Sequence, residues 1–529
     1  MKETMIDFRS IPQLNYKDIN YTENPEKLQE FIAFLPSEDG LLDAINERTK
    51  FPINRDVLVL ELERQYNDMS RFDAIKNNLA ALKDEDCMTV ITAHQPCLLT
   101  GPLYYIFKII DTINLAEYLS TKSDKKIVPV FINGSEDHDF EEINHFYLFG
   151  KKISWERPHI GSVGRLTTDG LEEVIGQLEE ILGKQNNSQN IIQLFRQSLE
   201  KSTNYNDFVR QYLHEIFGRY GLIIINMDNH AFKAEFANVI KQELLNPMSK
   251  KLVSDTQQKL SLIGFGDQAH AREINLFYID DHGRNRIEKQ GNRYHIVDTD
   301  VSFSEEEILM ELENRPERFS PNVILRPLYQ EFILPNIAYI GGGGEIAYWL
   351  ERKSLFQHYH IFYPALIRRN SVALLPKFIQ KNLLKLDISV EELLGTEDEV
   401  VNKYVYNHAS VELDLSPFKH EIENLYDKIA IIGGEVDATL SPSIKAEGNE
   451  QLKKLDQIEA KIRKSIKQKE EVQLNQLRKT YQYIFPEQGL QERRTNIIEF
   501  WVKDADIFDK LKQHLKPFNN KFRFLELES

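Results

Sequence analysis

The stretch of the chain with the clearest chemical potential runs from 89 to 104 and reads TVITAHQPCLLTGPLY. Its apolar start has the length and the β-branched residues of a buried strand, and it ends at His94 and Gln95. Thr100 and Gly101 then lead into an apolar run with helical spacing. This order places an imidazole, an amide and backbone N–H groups at the carboxyl edge of a sheet, where anions bind. The sequence therefore predicts an anion site in which His94 is catalytic and Gln95, Thr100 and Gly101 contact substrate.

Other residues of this stretch have more than one interpretation. Tyr104 and Lys108 lie on the first turns of the expected helix, where Tyr104 could contact a substrate and Lys108 could reach a phosphate or extend its amine towards solvent. In a purely structural alternative, Gly101 only starts the helix and His94 is a satisfied hydrogen-bonding residue. Cys97 has no dedicated base beside it, so a packing role is favoured over a nucleophile.

A dense polar cluster, GSEDHDFEEINH, follows the next apolar run, IVPVFI. Ionisable groups so close together are expensive to bury without partners, so they line a cleft or bind a ligand. We expect Asp137, His138 and Asp139 to supply a general base or to bind a substrate amine, with Glu136 as a substrate contact. A divalent metal is the alternative, in a hydrolase that also uses His145, although the spacing matches no zinc signature.

A third group begins at Arg326, which follows the apolar run expected to resume the sheet at 323–325. A guanidinium at a strand end suits a carboxylate or a phosphate. The run GGGGE then brings backbone close to a ligand, so Gly342, Gly343 and Glu345 are candidate substrate contacts. A flexible loop without a ligand is the alternative. Asp228, after the apolar run 222–226, is a further candidate contact.

The last motif is FPEQGLQERR, where a long helical pattern ends. Gln491 and Arg493 could recognise a nucleotide phosphate, or they could lock that helix to the body of the protein.

The elements that position these residues have the order strand, helix, strand. The runs at 89–93, 127–132 and 222–226 are strand-sized, and helical spacing from Leu103 to Leu119 separates the first two. This is a βαβ unit of a largely parallel sheet. The segment FYIDDHGRNRI indicates a hairpin that turns at Gly283, in an inserted lobe.

The C-terminal third has a helical period. Apolar residues from Phe418 to Ile432 are spaced by four and three, and Gly433-Gly434 predicts a stop. A second helix is expected to begin at Ser441-Pro442 and to continue for roughly 40 residues to Pro486. The narrow apolar stripe favours an antiparallel coiled coil used for dimerisation over two helices packed on the body.

These patterns predict the following domains: a helical N-terminal lead-in at 1–88, a Rossmann-like catalytic core at 89–412 with inserted segments at about 150–220 and 262–320, an antiparallel coiled coil at 413–485, and a C-terminal segment at 486–529 that returns to the core.

Composition limits the class of protein. The chain has 529 residues, of which 41% are hydrophobic, and two cysteines, so we expect several structural units and no disulfide framework. No apolar run reaches the ~18 residues of a membrane span, and no signal peptide is evident, so a cytoplasmic location is expected. The formal charge of −17 disfavours a nucleic-acid partner.

Five motifs together resemble the bacillithiol biosynthesis cysteine-adding enzyme family. They are HQPCLLTGPLY at 94–104, GSEDHDFEEINH at 134–145, SPNVILRPL at 320–328, YIGGGGEIAYW at 339–349 and FPEQGLQER at 485–493. Because they occur in the right order across about 400 residues, the resemblance is specific and nearly chain-wide.

The resemblance implies a Rossmann-type α/β core, a C-terminal coiled coil that forms a homodimer, and a ligase that joins L-cysteine to the amine of glucosaminyl malate. Forming an amide from a free carboxylate needs activation, so ATP is the expected co-substrate, through an acyl adenylate or an acyl phosphate. No metal is expected. A metal-dependent hydrolase and a noncatalytic nucleotide-binding scaffold organised by the coiled coil remain open alternatives.

Overall fold

The computed structural model describes residues 2–67, 69, 72–184, 187–408 and 414–528. The N-terminal segment begins with a strand, β1 (Lys2–Asp7), followed by helices α1 (Tyr16–Glu23), α2 (Glu38–Arg48), α3 (Arg55–Gln65) and α4 (Asp73–Ala81). The helical lead-in predicted at 1–88 therefore begins with a strand. The mostly polar β1 is a strand because all six of its residues pair with the last strand of the chain, a contact that local pattern cannot reveal.

The βαβ unit is confirmed as β2 (Met88–His94), α5 (Leu103–Lys122) and β3 (Ile127–Asn133). The first inserted segment follows. Its elements are α6 (Phe140–Ile143), β4 (His145–Leu148), β5 (Lys151–Ser154), α7 (Leu171–Leu182), α8 (Ser188–Glu200) and α9 (Tyr205–Phe217). The chain then returns to the sheet as β6 (Ile223–Asn226), as the apolar run at 222–226 predicts.

A second lobe follows helices α10 (His230–Leu245) and α11 (Ser249–Leu262). Its elements are β7 (Leu276–Asp280), β8 (Gly283–Gln290), β9 (Arg293–Ile296), β10 (Ser302–Ser304), α12 (Glu305–Asn314) and β11 (Phe319–Pro321). The five strands of this lobe form an antiparallel sheet in the order β10-β9-β8-β7-β11. The hairpin predicted at Gly283 is confirmed, since this residue pairs with Asp280 and has a φ of +124°, which favours glycine.

The parallel sheet is completed by α13 (Arg326–Ile333), β12 (Asn336–Gly341), α14 (Gly343–Leu350), α15 (Lys353–His358) and β13 (Ala365–Arg368). The strand predicted at 323–325 is wrong. Asn322 accepts hydrogen bonds from the backbone N–H groups of Ile324 and Arg326, which closes a turn, and Pro327 suits the first turn of α13. The sheet resumes only at β12.

The order of the parallel sheet is β13-β12-β2-β3-β6. All five strands are almost completely buried, as expected of a parallel sheet covered on both faces. Their register aligns the carboxyl ends, since His94 lies opposite Asn133, and Asn133 lies opposite Asn226. The loops that leave this edge therefore meet in one place.

The C-terminal part begins with β14 (Ser371–Leu375), α16 (Lys377–Leu386) and α17 (Glu397–His408). Two long helices, α18 (Ser416–Val436) and α19 (Leu440–Lys469), then form a hairpin. They run antiparallel, because Lys419 pairs with Glu459 whereas Asp427 pairs with Lys445. The predicted boundary at 412–413 lies outside the described residues.

Two details of the predicted coiled coil are wrong. Helix α18 passes through Gly433-Gly434 without stopping, because Gly433 permits close contact with α19: a Cβ there would lie 2.5 Å from Ile444. The second helix is also not continuous. It breaks at Glu470, and α20 (Glu471–Ile484) buries Leu474, Leu477 and Tyr481 against the body.

The last segment comprises α21 (Ile498–Trp501), α22 (Ile507–His514) and β15 (Lys521–Glu526). Strand β15 lies between β1 and β14 in a three-stranded sheet. Asn496 donates to the carbonyl oxygens of Leu99 and Gly101, so this segment supports the loop after β2. No helix within the described residues has the length and apolarity needed to cross a membrane.

Candidate active site

A cleft of about 750 Å³ lies at the carboxyl edge of the parallel sheet, within the range of small-molecule sites. Most of the sequence-predicted site residues line it: His94, Gln95, Tyr104, Glu136, Asp137, His138, Asp228, Arg326, Gly342, Gly343, Glu345 and Arg493. All five motifs thus contribute residues to one cavity, and the fifth contributes Arg493.

His94 is the last residue of β2. Its Nδ1 lies 3.1 Å from the carbonyl oxygen of Gln95, and its Nε2 lies 3.1 Å from the hydroxyl of Tyr104. A carbonyl can only accept, so Nδ1 donates and Nε2 accepts from Tyr104. Burial, reinforced by the charge of Lys108, lowers the pKa of His94 to about 4. The imidazole is therefore neutral near pH 7, with a lone pair on Nε2.

Thr100 and Gly101 shape the loop beneath His94 and do not line the cleft. The Thr100 hydroxyl is bonded to Asn496 and to the carbonyl of Leu99, and its backbone has a φ of +73°. Gly101 has a φ of +58°, and a Cβ there would lie 2.5 Å from that of Cys97. Their contact with substrate stays a prediction.

Cys97 is buried beside the imidazole, with its sulfur 3.4 Å from Nδ1 of His94. Burial raises the pKa of its thiol to about 12. The thiolate is the nucleophilic form of cysteine, so the environment favours the packing role over covalent catalysis.

Glu345 and Lys108 form an ion pair that joins α14 to α5. The Lys108 Nζ lies 2.8 Å from both carboxylate oxygens and 2.6 Å from the carbonyl of Ala93. Although burial raises the pKa of Glu345, Lys108 and His94 lower it to about 2. Tyr339 and the backbone N–H of Gly342 also donate to this carboxylate. The Lys108 amine is thus engaged within the protein, and its predicted phosphate contact stays a prediction.

Arg326 is the first residue of α13, and its guanidinium is held by neutral groups. Nη1 donates to Gln330 at 3.2 Å and Nη2 donates to the Tyr348 hydroxyl at 2.8 Å. Within the described part of the chain, Arg326 has no carboxylate within ion-pair distance. A guanidinium that stays charged and lacks such a partner is suited to an anionic ligand.

The polar loop after β3 forms the other side of the cleft. The Gln95 amide donates to Asp137 at 2.9 Å and to Glu142 at 3.0 Å. Although burial raises the pKa of Asp137, Arg284 and Gln95 hold it below its ordinary value. Asp139 lies in a neighbouring cavity instead and caps α6 by accepting from the backbone of Glu142.

Arg284, which the sequence did not predict, determines which ring nitrogen of His138 acts as a hydrogen-bond acceptor. Its Nη1 donates at 3.0 Å to Nδ1 of His138, so that nitrogen must be the acceptor. Burial lowers the pKa of His138. The described residues include no group of three His, Cys, Asp or Glu side chains able to hold a metal ion.

Two further carboxylates of the cleft are ion-paired. Glu136 pairs with the fully buried Lys233. Asp228 receives two hydrogen bonds from Arg165, at 2.7 and 2.8 Å.

The two residues predicted from the C-terminal motif, Gln491 and Arg493, occupy different environments. Gln491 is buried and bonds to both the N–H and the carbonyl of Leu374, so it holds β14 in place. Arg493 lines the cleft. Nucleotide binding stays a prediction for both.

Arg369 also lines the cleft and was missed. It follows β13, and its guanidinium donates to Glu492 at 2.7 Å and lies 5.2 Å from the ring centre of Tyr104. The sequence does contain a signal for Arg369, because the run ALIRR ends an apolar segment with arginines. The same pattern identified Arg326. Arg284 had no such signal because it comes from the inserted lobe.

Comparison with known protein families identifies the family of this chain. The model described as "Bacillithiol biosynthesis BshC, N-terminal Rossmann-like domain" matches residues 1–370, and "Bacillithiol biosynthesis BshC, C-terminal coiled-coil domain" matches residues 372–527. The chain belongs to the BshC family. The resemblance noted in the sequence and the α/β class with a Rossmann-like core and a C-terminal coiled coil are thereby confirmed.

Curated BshC relatives match along nearly their whole length. A protein of Cytophaga hutchinsonii is 39% identical over 500 residues, which are 94% of each chain. One of Flavobacterium psychrophilum is 36% identical over 96% of each chain, and one of Bacillus thuringiensis subsp. konkukian is 27% identical over 98% of this chain and 99% of its own. All three carry the name "Putative cysteine ligase BshC".

Proposed function

We propose that this protein is an ATP-dependent ligase that joins the carboxyl group of L-cysteine to the amine of glucosaminyl malate. The observation that carries the proposal is the division of charge in the cleft. Arg369 follows β13, and Arg326 donates to Tyr348 of α14, the helix that follows β12. The loop after β3, on the other side of β2, carries carboxylates.

The carboxylate side comprises Glu136, Asp137 and Glu142. Glu136 is compensated by Lys233, and Asp137 lies in the field of Arg284. Glu142 is bonded to the neutral amide of Gln95 and is not ion-paired within the described residues. This side therefore has a spare negative charge, which suits the amine that must be acylated.

The arginine side comprises Arg326, Arg369 and Arg493. Arg369 is compensated by Glu492, whereas the described residues supply no carboxylate within ion-pair distance of Arg326 or Arg493. Two unpaired guanidinium groups suit carboxylates or phosphates. Both proposed substrates of ligation carry carboxylates, and ATP carries phosphates.

His94 lies between the two sides, where an amine held by carboxylates would meet an activated acyl group held by arginines. Nε2 of its neutral imidazole carries a lone pair, which accepts from the Tyr104 hydroxyl and can take up a proton. ATP supplies the activation, since it converts a carboxylate into an acyl phosphate or an acyl adenylate with a good leaving group.

The test is to incubate the purified protein with L-cysteine, glucosaminyl malate and ATP and to follow the products by mass spectrometry. We expect one amide per ATP consumed, and the release of ADP or of AMP identifies the activated intermediate. Arg326→Gln should raise the KM of a carboxylate-bearing substrate by about 10-fold or more, whereas Arg293→Gln, at an exposed position of β9, should not. Consumption of ATP without amide, or amide without ATP, contradicts the proposal.

A further inference from the structure

Tyr104 stands at the point where the cleft meets His94. It is the second residue of α5, it lines the cleft, and its hydroxyl lies 3.1 Å from His94 Nε2. Because His94 Nδ1 donates to the Gln95 carbonyl, Nε2 has no proton and the Tyr104 hydroxyl is the donor. The phenolic oxygen keeps lone pairs that can accept a hydrogen bond from a ligand.

This arrangement differs from that of the neighbouring tyrosine. Tyr105 also packs on the imidazole, with ring centres 5.3 Å apart, but it is completely buried and does not line the cleft. Its hydroxyl has no hydrogen-bond partner among the described residues. Tyr104 is therefore distinguished by its link to Nε2 and by its access to the cavity.

We propose that Tyr104 is a catalytic residue that accepts the proton of the substrate nitrogen while it passes its own hydroxyl proton to Nε2 of His94. The proposal rests on the function proposed above. It assigns the substrate contact to the phenol and makes the imidazole the final proton acceptor.

The step balances as follows. The amine nitrogen attacks the activated carbonyl and a C–N bond forms. The N–H proton moves to the Tyr104 oxygen as the phenol proton moves to His94, which becomes an imidazolium, so the phenol is regenerated. The C–O bond to the phosphate or AMP group breaks, and this group leaves with the electron pair. The imidazolium then releases its proton to solvent.

Charged groups on several elements face this pair. Glu345 on α14 and the Gln95 carbonyl stabilise the imidazolium, whereas Lys108 on α5 and Arg326 on α13 oppose it. The Arg369 guanidinium lies against the Tyr104 ring, and the Cys97 thiol beside Nδ1 is protonated because burial raises its pKa. Opposing charges of this kind allow His94 to hold a proton briefly and to release it.

The test compares Tyr104→Phe with Tyr105→Phe under saturating L-cysteine, glucosaminyl malate and ATP. General acid–base catalysis typically contributes ~10²- to 10⁴-fold, so Tyr104→Phe should lower kcat at least about 100-fold with little change in KM. Tyr105→Phe should retain wild-type kcat, since it removes a hydroxyl that lies outside the cleft.

A double variant separates a relay from mere packing. If Tyr104 acts through His94, then adding His94→Gln to Tyr104→Phe should cause little further loss of kcat, because the two residues act as one unit. Two independent losses that multiply would overturn the relay.

A spectroscopic measurement gives a second readout. The Tyr104 hydroxyl donates to the neutral form of His94 and so disfavours its protonation. The pKa of His94, followed by NMR of labelled histidine, should therefore rise in Tyr104→Phe and not in Tyr105→Phe. An unchanged pKa together with wild-type kcat in Tyr104→Phe overturns the relay but leaves the proposed function intact, whereas absence of amide with the wild-type protein overturns both.

Discussion

Two regions of the molecule are stabilised in different ways. The floor of the cleft, formed by His94, Tyr104, Arg326 and Glu345 with Lys108 beneath, holds charges that are largely or completely buried and fixed by several elements. The α18–α19 hairpin is held mainly by contacts between its own two helices, and apolar side chains such as Leu425 (53% exposed) face outward. Substitution should therefore be costly in the floor and mild in the hairpin.

The largest contrast is expected between two lysines that each bind carboxylates. Lys108 has a side-chain exposure of 1% and binds Glu345, whereas Lys419 has an exposure of 28% and binds Asp456 and Glu459. Lys108→Met leaves the largely buried carboxylate of Glu345 without its partner and should lower the free energy of unfolding by about 3 kcal/mol or more. Lys419→Met should cause a barely measurable change. Denaturant titration of both variants checks the difference.

The double variant Lys108→Met/Glu345→Gln provides a control. Because it removes the orphaned charge, it should recover part of the stability lost in Lys108→Met. Equal losses in the single lysine variants would show that the floor is no more dependent on ion pairing than the hairpin.

The second prediction concerns the free energy of unfolding, which should fall when His94 is protonated at low pH. Its folded pKa of about 4 lies below the ordinary value of 6.5, so the unfolded chain binds the proton more readily. The stabilisation is fully present above pH 6.5 and is lost as the pH falls towards 4, by up to about 3 kcal/mol.

The measurement is the difference in unfolding free energy between wild type and His94→Gln, recorded from pH 7.5 to 4.5. A difference is needed because burial raises the pKa of Asp111 and of Glu331 to about 7, so these carboxyls act in the opposite direction. The difference should shrink as the pH falls. A pH-independent difference would mean that the imidazole is not sequestered as described.

Much of the fold was predictable because it depends on local signals. β-branched apolar runs predicted β2, β3 and β6, and helical spacing predicted α5 and the hairpin. The pairing of β1 with β15 was not predictable, since β1 is short and mostly exposed and finds its partner more than 500 residues away. The break at Glu470 was missed because the apolar seam continues while the packing partner changes.

The candidate site was predictable where residues follow strands of the parallel sheet. That rule found His94 and Asp137, the glycine run indicated Glu345, and the cleft brings all three together. It could not find Arg284, which reaches the cleft from an inserted hairpin. Nor could it show that Lys108 is bound to Glu345, a contact across 237 residues that only the folded chain reveals.

A smaller effect is expected from adjacent glycines at the start of α14. A Cβ on Gly343 would lie 1.8 Å from the Asp18 carboxylate, which is paired with Arg368, whereas a Cβ on Gly344 would meet nothing within 4 Å. Gly343→Ala should therefore lower the unfolding free energy by about 1–3 kcal/mol through overpacking. Gly344→Ala should be neutral or slightly stabilising. Calorimetry of both variants tests this, and equal melting temperatures would contradict the described packing of α1 on α14.

The least effect on stability is expected from the outer face of the hairpin, where the predicted homodimer would form. Leu425, Ile429 and Ile432 follow helical spacing on α18 and are 53%, 41% and 62% exposed. Ile432→Glu places a charge on this stripe and should shift the protein from dimer to monomer in analytical ultracentrifugation, while the unfolding of the Rossmann-like core stays unchanged. Lys428→Glu, an exposed change of charge on the same helix, should leave the dimer intact. A dimer that survives Ile432→Glu would place the contact elsewhere, and a core destabilised by it would show that the hairpin supports the cleft after all.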